Sequence, residues 1–386
     1  MSVIPAGLAD AETPVALVDL ARARANAARV AAYAARHGIA WRPHVKTHKS
    51  LALARIQLEA GARGLTVATP HEAEVMARVC DDLLLAYPLL GKRKLDRLMA
   101  LPERVALTVA LDSEVALRGL AEAARAAART VGVLVEVDVG LGRTGVQTAR
   151  EAGLLAALAR DAEGLEYRGI MFYPGHIRTH VSEQEQAIGA LAERLESCCA
   201  TLGGAGLAPE VVSGGSSPTL WHSHLLPRLT EVRAGTVIYN DLDMTGMGVA
   251  RGRECAYSIL ATVVSTAVPG RAVVDAGSKA LSKELHDTAG IGYAALAGRP
   301  EVRVVALSEE HGVLDITSTD WRPRVGELVR LLPNHVCVSV NLQDRVIAHE
   351  GDRCETWPIE GRGRVASRSR MNLSHVTAST TESDTQ

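Results

Sequence analysis

Lys46 lies between two histidines in the segment RPHVKTHK, directly after a short apolar run and before a stretch with helical spacing. A lysine at a strand end that loses its proton becomes a nucleophile and forms a Schiff base with a carbonyl compound. His44, His48 and Lys49 would place positive charge beside Lys46, which disfavours its protonation. The segment therefore predicts a Schiff-base lysine, against the alternative of an ordinary solvated lysine at a strand end.

Two glycine-containing turns further along the chain offer what a phosphorylated carbonyl cofactor needs. The segment SGGSSPT runs from Ser213 to Thr219, and the segment RAGT runs from Arg233 to Thr236. Glycines let the backbone approach a phosphate closely, and N–H and hydroxyl groups donate hydrogen bonds to its oxygens. Phosphate sites of eight-stranded α/β barrels are built from the loops after strands 7 and 8. We expect these turns to hold a phosphate, and two ordinary Gly/Ser turns are the alternative.

A histidine and a cysteine stand two residues apart in the segment PNHVCVSVNL. If this segment is a strand, His335 and Cys337 point to the same face. An imidazole and a thiolate are ligands of zinc-like ions, and two protein ligands leave open positions, as in a catalytic metal site. The alternative is a buried cysteine beside a hydrogen-bonded histidine. The segment SEEHG adds His311 and two carboxylates that could join this site or cap a hairpin.

Further candidates follow the predicted strand that ends in FYPGH. Tyr173 and His176 close this strand, and His180 comes shortly after. At a barrel mouth, such side chains serve as acid, as base or as a wall for a cofactor ring.

The segment GLGRTG, residues 140–145, matches the GxGxxG pattern of dinucleotide-binding dehydrogenases. That fingerprint belongs to the first strand of a doubly wound sheet, whereas this segment follows the fifth strand of a longer series. We therefore interpret Arg143 as a cation directed at an oxyanion, and the dehydrogenase remains a rival hypothesis.

The elements that must position these residues alternate between strands and helices. We predict strands at 40–46, 64–69, 82–89, 104–112, 130–140, 165–174, 209–217 and 229–241, with helices that include 70–80, 114–128, 147–160 and 181–203. Eight repeats favour a (β/α)8 TIM-type barrel over an open doubly wound sheet. The barrel would span 20–245.

The helical spacing disappears after about residue 250, and short apolar runs separated by turn residues replace it. We predict a C-terminal all-β domain over 250–368 that carries the His335 and Cys337 pair. The strand TPVALVDL, residues 13–20, has no place among the eight barrel strands and would pair with this domain. The Ser/Thr-rich end, 369–386, has little to bury, which predicts a disordered tail.

Composition excludes several function classes. The 42 Lys and Arg residues nearly balance the 44 Asp and Glu residues, so no general field attracts nucleic acid or an anionic membrane. No apolar run approaches the roughly 18 residues of a membrane span, and the N-terminus has no signal-peptide pattern. The six cysteines form no CxxC pair or disulfide spacing. We expect a cytoplasmic protein that acts on a small molecule.

The segments RPHVKTHK, YPGH, SGGSSPT, EVRAGT, SEEHG and PNHVCVSVNL together resemble the D-threonine aldolase and D-serine dehydratase-like family, in order from about residue 13 to 365. Its members are fold-type III pyridoxal phosphate (PLP) enzymes with an alanine racemase-like barrel and a C-terminal β-domain. The resemblance implies that Lys46 forms the Schiff base with PLP, that Arg143 and Tyr173 approach the ring and its 3′-oxygen, and that Arg233 faces the pyridine nitrogen. It implies a phosphate site from Ser213, Gly214, Gly215, Ser216, Gly235 and Thr236.

The resemblance also implies that His335 and Cys337 bind a divalent metal (Zn²⁺, Mn²⁺ or Mg²⁺), and that the protein is a homodimer with its active site at the interface. The reaction would be lysis of a β-hydroxy-D-amino acid. We favour retro-aldol cleavage to glycine and an aldehyde, because YPGHIRTH supplies His176 and His180 as bases for the hydroxyl. The His-x-Cys pair instead resembles the dehydratases, which release a keto acid and ammonia. An amino-acid racemase is third, and a PLP-binding protein without turnover is the alternative outside catalysis.

Overall fold

The computed structural model describes residues 4–285 and 292–363, and its first large unit is a barrel of eight parallel strands. The strand β1 (Val15–Asp19) comes first in the chain, and the barrel strands are β2 (Ala40–Trp41), β3 (Leu65–Val67), β4 (Asp82–Leu85), β5 (Ala106–Leu111), β6 (Val131–Glu136), β7 (Leu165–Met171), β8 (Val211–Gly214) and β9 (Glu231–Val232). The sheet order is β2-β9-β8-β7-β6-β5-β4-β3, and a parallel bridge between His44 and Thr66 joins its two edges. The predicted barrel is confirmed, with strands shorter than predicted.

Helices surround the barrel. They are α1 (Leu20–Arg36), α2 (Leu51–Glu59), α3 (Pro70–Met76), α4 (Lys92–Met99), α5 (Glu114–Ala126), α6 (Ala149–Asp161), α7 (Glu185–Gly204) and the short α8 (Leu242–Gly246). Helices α2 to α7 each follow one barrel strand, whereas β8 leads into the 3₁₀ helix Leu220–Leu225. Helix α1 packs against α2 and against the turn after β9, so it fills the remaining place in the ring.

Several of the helices begin at a residue whose side chain caps them by a hydrogen bond. Thr69 caps α3, because its Oγ1 accepts a hydrogen bond from the Glu72 N–H at 3.1 Å. Thr148 and Glu151 form the reciprocal capping box of α6. These caps fix where each strand end turns into its helix. None of the helices in the described residues is long and apolar enough to cross a membrane.

The second unit is a mainly antiparallel β-structure. Its strands are β10 (Tyr257–Ser265), β11 (Arg271–Val274), β12 (Ala294–Leu296), β13 (Arg299–Leu307), β14 (Gly312–Asp315), β15 (Leu328–Pro333), β16 (Arg345–Glu350) and β17 (Arg353–Pro358). Because β10 pairs with both β11 and β15, six strands close into a small barrel, β10-β11-β14-β13-β12-β15. The C-terminal β-domain is thereby confirmed as part of the fold.

The first strand of the chain belongs to this second unit. Strand β1 pairs antiparallel with β10, with Val15 opposite Leu260, and parallel with β16, with Leu17 opposite Ile347. The chain therefore starts in the β-unit, passes through the whole barrel and returns. The domain bounds 20–245 and 250–368 stay predictions, and the tail 369–386 lies outside the described residues.

The strand predicted through the His335 and Cys337 pair is wrong. Strand β15 ends at Pro333, and the helix α10 (Val336–Leu342) begins with His335 as its N-cap. Val336, Ser339 and Val340 are the buried residues of α10, which is helical spacing. The Ser339 hydroxyl donates to the Ala280 carbonyl at 2.7 Å, which ties α10 to the short helix α9 (Ser278–Leu281). Packing on this neighbour overrides the strand preference of the valines.

Candidate active site

A cavity of about 440 Å³ opens at the end of the barrel where its strands finish. This volume is typical of a small-molecule site, and this end of a TIM-type barrel carries the active site. The lining includes ten of the residues predicted from sequence: Lys46, Arg143, Tyr173, Gly215, Ser216, Arg233, Gly235, Thr236, His335 and Cys337. Barrel loops and the start of α10 thus meet at one cavity within a single chain.

Lys46 enters the cavity from the 3₁₀ turn that follows β2. Its Nζ lies 5.8 Å from the centre of the Tyr173 ring. Burial lowers the pKa of His44 well below its usual value and lowers that of His48 to about 4. Both imidazoles are therefore neutral at physiological pH. The prediction that they supply positive charge beside Lys46 is wrong, because the fold buries them.

Arg143 lies against the same aromatic ring, with its guanidinium 4.9 Å from the centre of Tyr173. The glycine-containing loop before it folds around the carboxylate of Asp138. Oδ1 of Asp138 accepts hydrogen bonds from the N–H groups of Gly140 at 3.2 Å and of Gly142 at 3.1 Å. Because this carboxylate uses those donors, the loop is closed on itself and does not present them to a pyrophosphate. The dehydrogenase hypothesis therefore has no support in the loop geometry.

The turns after β8 and β9 form a cradle with free donors. In the described residues, the N–H groups of Gly215, Ser217 and Gly235 have no protein acceptor, and all three residues line the cavity. A Cβ on Gly235 would lie 2.3 Å from the His44 carbonyl oxygen, so only glycine fits there. The Thr236 N–H donates to Ser217 Oγ at 3.0 Å and joins the two turns. Unused donors on a tight glycine backbone suit a phosphate.

Ser213 and Gly214 lie one layer below the cavity instead of lining it. Ser213 Oγ accepts a hydrogen bond from Nη1 of Arg233 at 2.9 Å, and Nη2 of Arg233 donates to the Phe172 carbonyl at 2.8 Å. A Cβ on Gly214 would lie 2.1 Å from the Phe172 ring. Ser213 therefore holds the guanidinium of Arg233, and the Gly214 carbonyl accepts the Arg233 N–H at 3.0 Å. Burial lowers the pKa of Arg233 to about 10, so it stays charged at neutral pH.

The structure does not place the two histidines after β7 among the residues that line the cavity. His176 is exposed, and its ring packs against Gly140, where an added Cβ would lie 3.2 Å from Nε2. Nδ1 of His180 lies 2.8 Å from Ser182 Oγ. Ile177 is buried, which turns its neighbour His176 outward.

His335 and Cys337 reach the cavity together in spite of the helix. Both side chains line it, and the Thr47 hydroxyl lies 3.3 Å from Cys337 Sγ. Burial alone would raise the pKa of Cys337, but the His335 imidazolium outweighs burial and lowers it. Burial alone would lower the pKa of His335, but the Cys337 thiolate and the Asp241 carboxylate raise it to about 12. Each group thus favours the charged form of the other, and the thiolate is the metal-binding form of cysteine.

Comparison with known proteins agrees with this geometry. The family model of the alanine racemase N-terminal domain matches residues 18–243, and that of a serine dehydratase domain matches residues 256–349. The chain is 33% identical to D-threonine aldolase from Arthrobacter sp. over 92% of its length and 94% of the relative's. The chain belongs to the D-threonine aldolase and D-serine dehydratase-like family. It is a fold-type III, PLP-dependent lyase, as the sequence predicted.

Two further family members frame the comparison. D-threonine aldolase from Filomicrobium marinum has the same fold, with a TM-score of 0.85 and 30% identity over 92% of this chain and 97% of that one. D-threo-3-hydroxyaspartate dehydratase from Delftia sp. is 34% identical over 85% of this chain and 91% of its own length. Structures are known of two variants of D-threo-3-hydroxyaspartate dehydratase. One has a histidine replaced by alanine, and the other has a cysteine, two positions after that histidine, replaced by alanine. The cysteine variant is in the metal-free form.

The residues present fit PLP. The cradle of unused N–H donors suits its phosphate, Lys46 suits its aldehyde, and Arg233, which Ser213 holds in place, is a cation that lines the same cavity. The fit to a divalent ion rests on fewer groups, since within residues 4–285 and 292–363 no group of three or more His, Cys, Asp or Glu side chains forms a metal cluster. His335 Nδ1 lies 3.4 Å from Asp241 Oδ2, so Nε2 is the ring nitrogen that would remain to bind an ion together with Cys337.

Two residues of this site, Glu136 and Arg178, were not predicted from the sequence. Glu136 ends β6, lines the cavity and accepts a hydrogen bond from the Thr144 hydroxyl at 2.8 Å, and burial raises its pKa. Its place at a strand end was a usable signal. Arg178 also lines the cavity and pairs with Asp243 at 3.1 Å, although it stands between the two predicted histidines.

The segment SEEHG lies away from the cavity, in the turn between β13 and β14. There the carbonyl of His311 accepts the Ser308 N–H at 2.9 Å, and Glu310 pairs with Lys279 at 2.6 Å. Of the two predicted roles for this segment, the structure has the hairpin turn.

Proposed function

We propose that the protein is a PLP- and divalent-metal-dependent dehydratase of β-hydroxy-D-amino acids, of the D-serine or D-threo-3-hydroxyaspartate type. One observation carries the choice of reaction. Lys46 and the pair His335 and Cys337 share one cavity, whereas His176 and His180, on which the preference for retro-aldol cleavage depended, do not line it. Elimination needs a base for the α-proton, which Lys46 supplies, and no second base for the hydroxyl proton.

The chain's own groups divide the work of elimination. PLP supplies an electron sink at the α-carbon, and an ion on His335 and Cys337 would polarise the β-hydroxyl. The Nζ of Lys46, displaced by the substrate amine, accepts the α-proton as the Cα–H bond breaks. The β C–O bond then breaks with loss of hydroxide, and hydrolysis gives a keto acid and ammonia.

Arg233 restrains the cofactor ring in this proposal. Two hydrogen bonds fix the guanidinium. Because its pKa is about 10, Arg233 is already protonated at neutral pH and cannot accept a further proton. With PLP bound, Arg233 would donate a hydrogen bond to the ring nitrogen and would keep its own proton. Charge at the α-carbon is then stabilised less by the ring, which favours early departure of the hydroxyl group.

Retro-aldol cleavage is the second candidate, favoured by the similarity to the two D-threonine aldolases. It requires a base for the β-hydroxyl proton. His176 is the better placed of the two predicted histidines, because it packs on Gly140, three residues before Arg143, whereas His180 is hydrogen-bonded to Ser182.

The test is product analysis. Holoenzyme with Mn²⁺ or Zn²⁺ is incubated with D-serine, D-threonine and D-threo-3-hydroxyaspartate, with the L-isomers as controls. We expect pyruvate, 2-oxobutanoate or oxaloacetate together with ammonia. Glycine and an aldehyde that disappear in the His176→Asn variant but not in His180→Asn would establish the aldolase instead. Interconversion of isomers without products would establish a racemase.

We also propose that the protein is a homodimer with its active sites at the interface. The support is the family resemblance and the position of the cavity beside the second unit. Light scattering of the holoenzyme should give twice the chain mass of 40.9 kDa, and a monomer with full activity would contradict the proposal.

A further inference from the structure

The three residues that follow Lys46 are each fixed by a different part of the molecule. The Thr47 hydroxyl lies against Cys337, and His48 is held between the Gln57 side chain at 3.0 Å and the Ser50 N–H at 3.1 Å. Lys49 comes next, and its backbone has a φ of 53°. This left-handed conformation is unfavourable for a residue with a Cβ. Something must therefore hold Lys49 there.

The side chain of Lys49 is held by a buried carboxylate. Its Nζ lies 3.3 Å from Oε1 of Glu72, whose side chain is 1% exposed. The other carboxylate oxygen of Glu72 accepts the N–H of Ala68 at 2.7 Å. Ala68 itself lines the cavity, so this glutamate joins the Lys46 turn to the loop after β3. A buried charge pair with a second hydrogen bond is held rigidly.

The backbone of Lys49 is held by the C-terminal segment. The Gly361 N–H donates to the Lys49 carbonyl at 2.8 Å, and a Cβ on Gly361 would lie 3.1 Å from that oxygen. The neighbouring Glu360 accepts the Leu51 N–H at 3.1 Å and so caps α2. The last described residues of the chain therefore grip the segment that carries Lys46.

We propose that Lys49, Glu72 and Gly361 form a clamp that sets the position of Lys46 Nζ, and that Lys49 and Glu72 are positioning residues for attachment of PLP. The clamp forces the backbone three residues after Lys46 into a conformation that the turn alone would not keep. The proposal rests on Lys46 being the lysine that holds PLP, and it requires no particular substrate.

The test measures how apoprotein captures PLP, followed by absorbance and by borohydride fixation with mass analysis of the Lys46 peptide. Glu72→Gln keeps the hydrogen bond to Ala68 but loses the charge, and Lys49→Met keeps the length of the side chain but loses the charge. Both should slow capture about tenfold, since small misplacement of a reacting group is costly. Lys49→Arg should restore it, and the double variant Lys49→Met/Glu72→Gln should be no slower than either single one.

Glu151→Gln is the matched control. Glu151 is the third residue of α6 below a threonine cap, as Glu72 is in α3, and it does not line the cavity. Capture by Glu72→Gln equal to that by Glu151→Gln would overturn the proposal. The proposal would also be overturned if PLP capture slowed only in proportion to a loss of thermal stability and if Lys49→Arg did not restore it. Wild-type protein that captures PLP but turns over no β-hydroxy-D-amino acid would reject the proposed reaction and leave the clamp standing.

Discussion

Two short turns build the chemistry of this cavity, and they differ in how the fold supports them. The turn that carries Lys46 follows a barrel strand and is anchored in the barrel and in the C-terminal segment. The turn that carries His335 and Cys337 follows β15 and begins a helix. Both reactive groups thus come from helical turns immediately after strands, where side chains are directed beyond the end of the sheet.

The turn that carries His335 and Cys337 depends on contacts from both units. Asp241, at the start of α8, accepts the Val336 N–H at 3.0 Å and lies beside His335. On the other side, Asn334 donates to the Gly292 carbonyl at 2.7 Å. In the proposed function, the Lys46 turn would attach the cofactor, and the turn of His335 and Cys337 would bind a metal. A change in one turn should therefore remove PLP or the metal without removing the other.

The largest effect should follow from Lys46→Ala. This change removes the only amine of the Lys46 turn that lines the cavity in the described residues, so the yellow colour of the holoenzyme, covalent fixation by borohydride and lyase activity should all be lost. Metal content should remain, because the second turn is unchanged. Borohydride label on Lys49 or Lys279 in the wild-type protein would show that another lysine holds PLP.

His335→Ala should leave PLP attached and remove the metal, whereas Lys46→Ala should do the reverse. Loss of the imidazole leaves one protein ligand, so bound metal should be lost and the rate should fall on the order of 10³-fold, while the absorbance of lysine-bound PLP persists. Excess chelator should give the same result. Cys337→Asp keeps an anionic ligand but replaces sulfur by oxygen, which should shift metal preference from Zn²⁺ towards Mn²⁺ or Mg²⁺. Full activity in chelator would mean that the pair is structural.

The same two turns show what could be predicted from sequence. The Lys46 turn belongs to a repeating strand–helix unit, and that repeat identifies the end of each strand and thus the cavity. The two glycine-containing turns after β8 and β9 were identified for the same reason. Glu136 was missed although it ends a strand, because nothing in the sequence shows that its side chain is turned inward.

The second turn was found by residue type alone, and its local structure was predicted wrongly. Alternating valines from Val336 to Val340 favour a strand. The segment is helical, and its Ser339 hydroxyl is hydrogen-bonded to Ala280 and Tyr257, which are distant in sequence. The protonation states of the two histidines could not be predicted from the sequence either. Their closeness to Lys46 in sequence suggested two positive charges, but burial in the fold lowers the pKa of both His44 and His48.

The smallest effect should come from the contact between the two turns. The Thr47 hydroxyl lies 3.3 Å from Cys337 Sγ and helps to lower the pKa of this thiol. Thr47→Val keeps the shape and removes the hydroxyl, so the thiolate loses a donor and its pKa should rise slightly. In metal-free protein, alkylation of the Cys337 peptide by iodoacetamide should then reach its half-maximal rate at a higher pH. PLP attachment should be unchanged, because the clamp on Lys49 is intact.

Thr201→Val is the control for this prediction. It removes an exposed hydroxyl of α7 that donates to the Ser197 carbonyl, and it should leave the pH profile of alkylation unchanged. An unchanged profile in Thr47→Val would mean that the two turns meet without influencing each other.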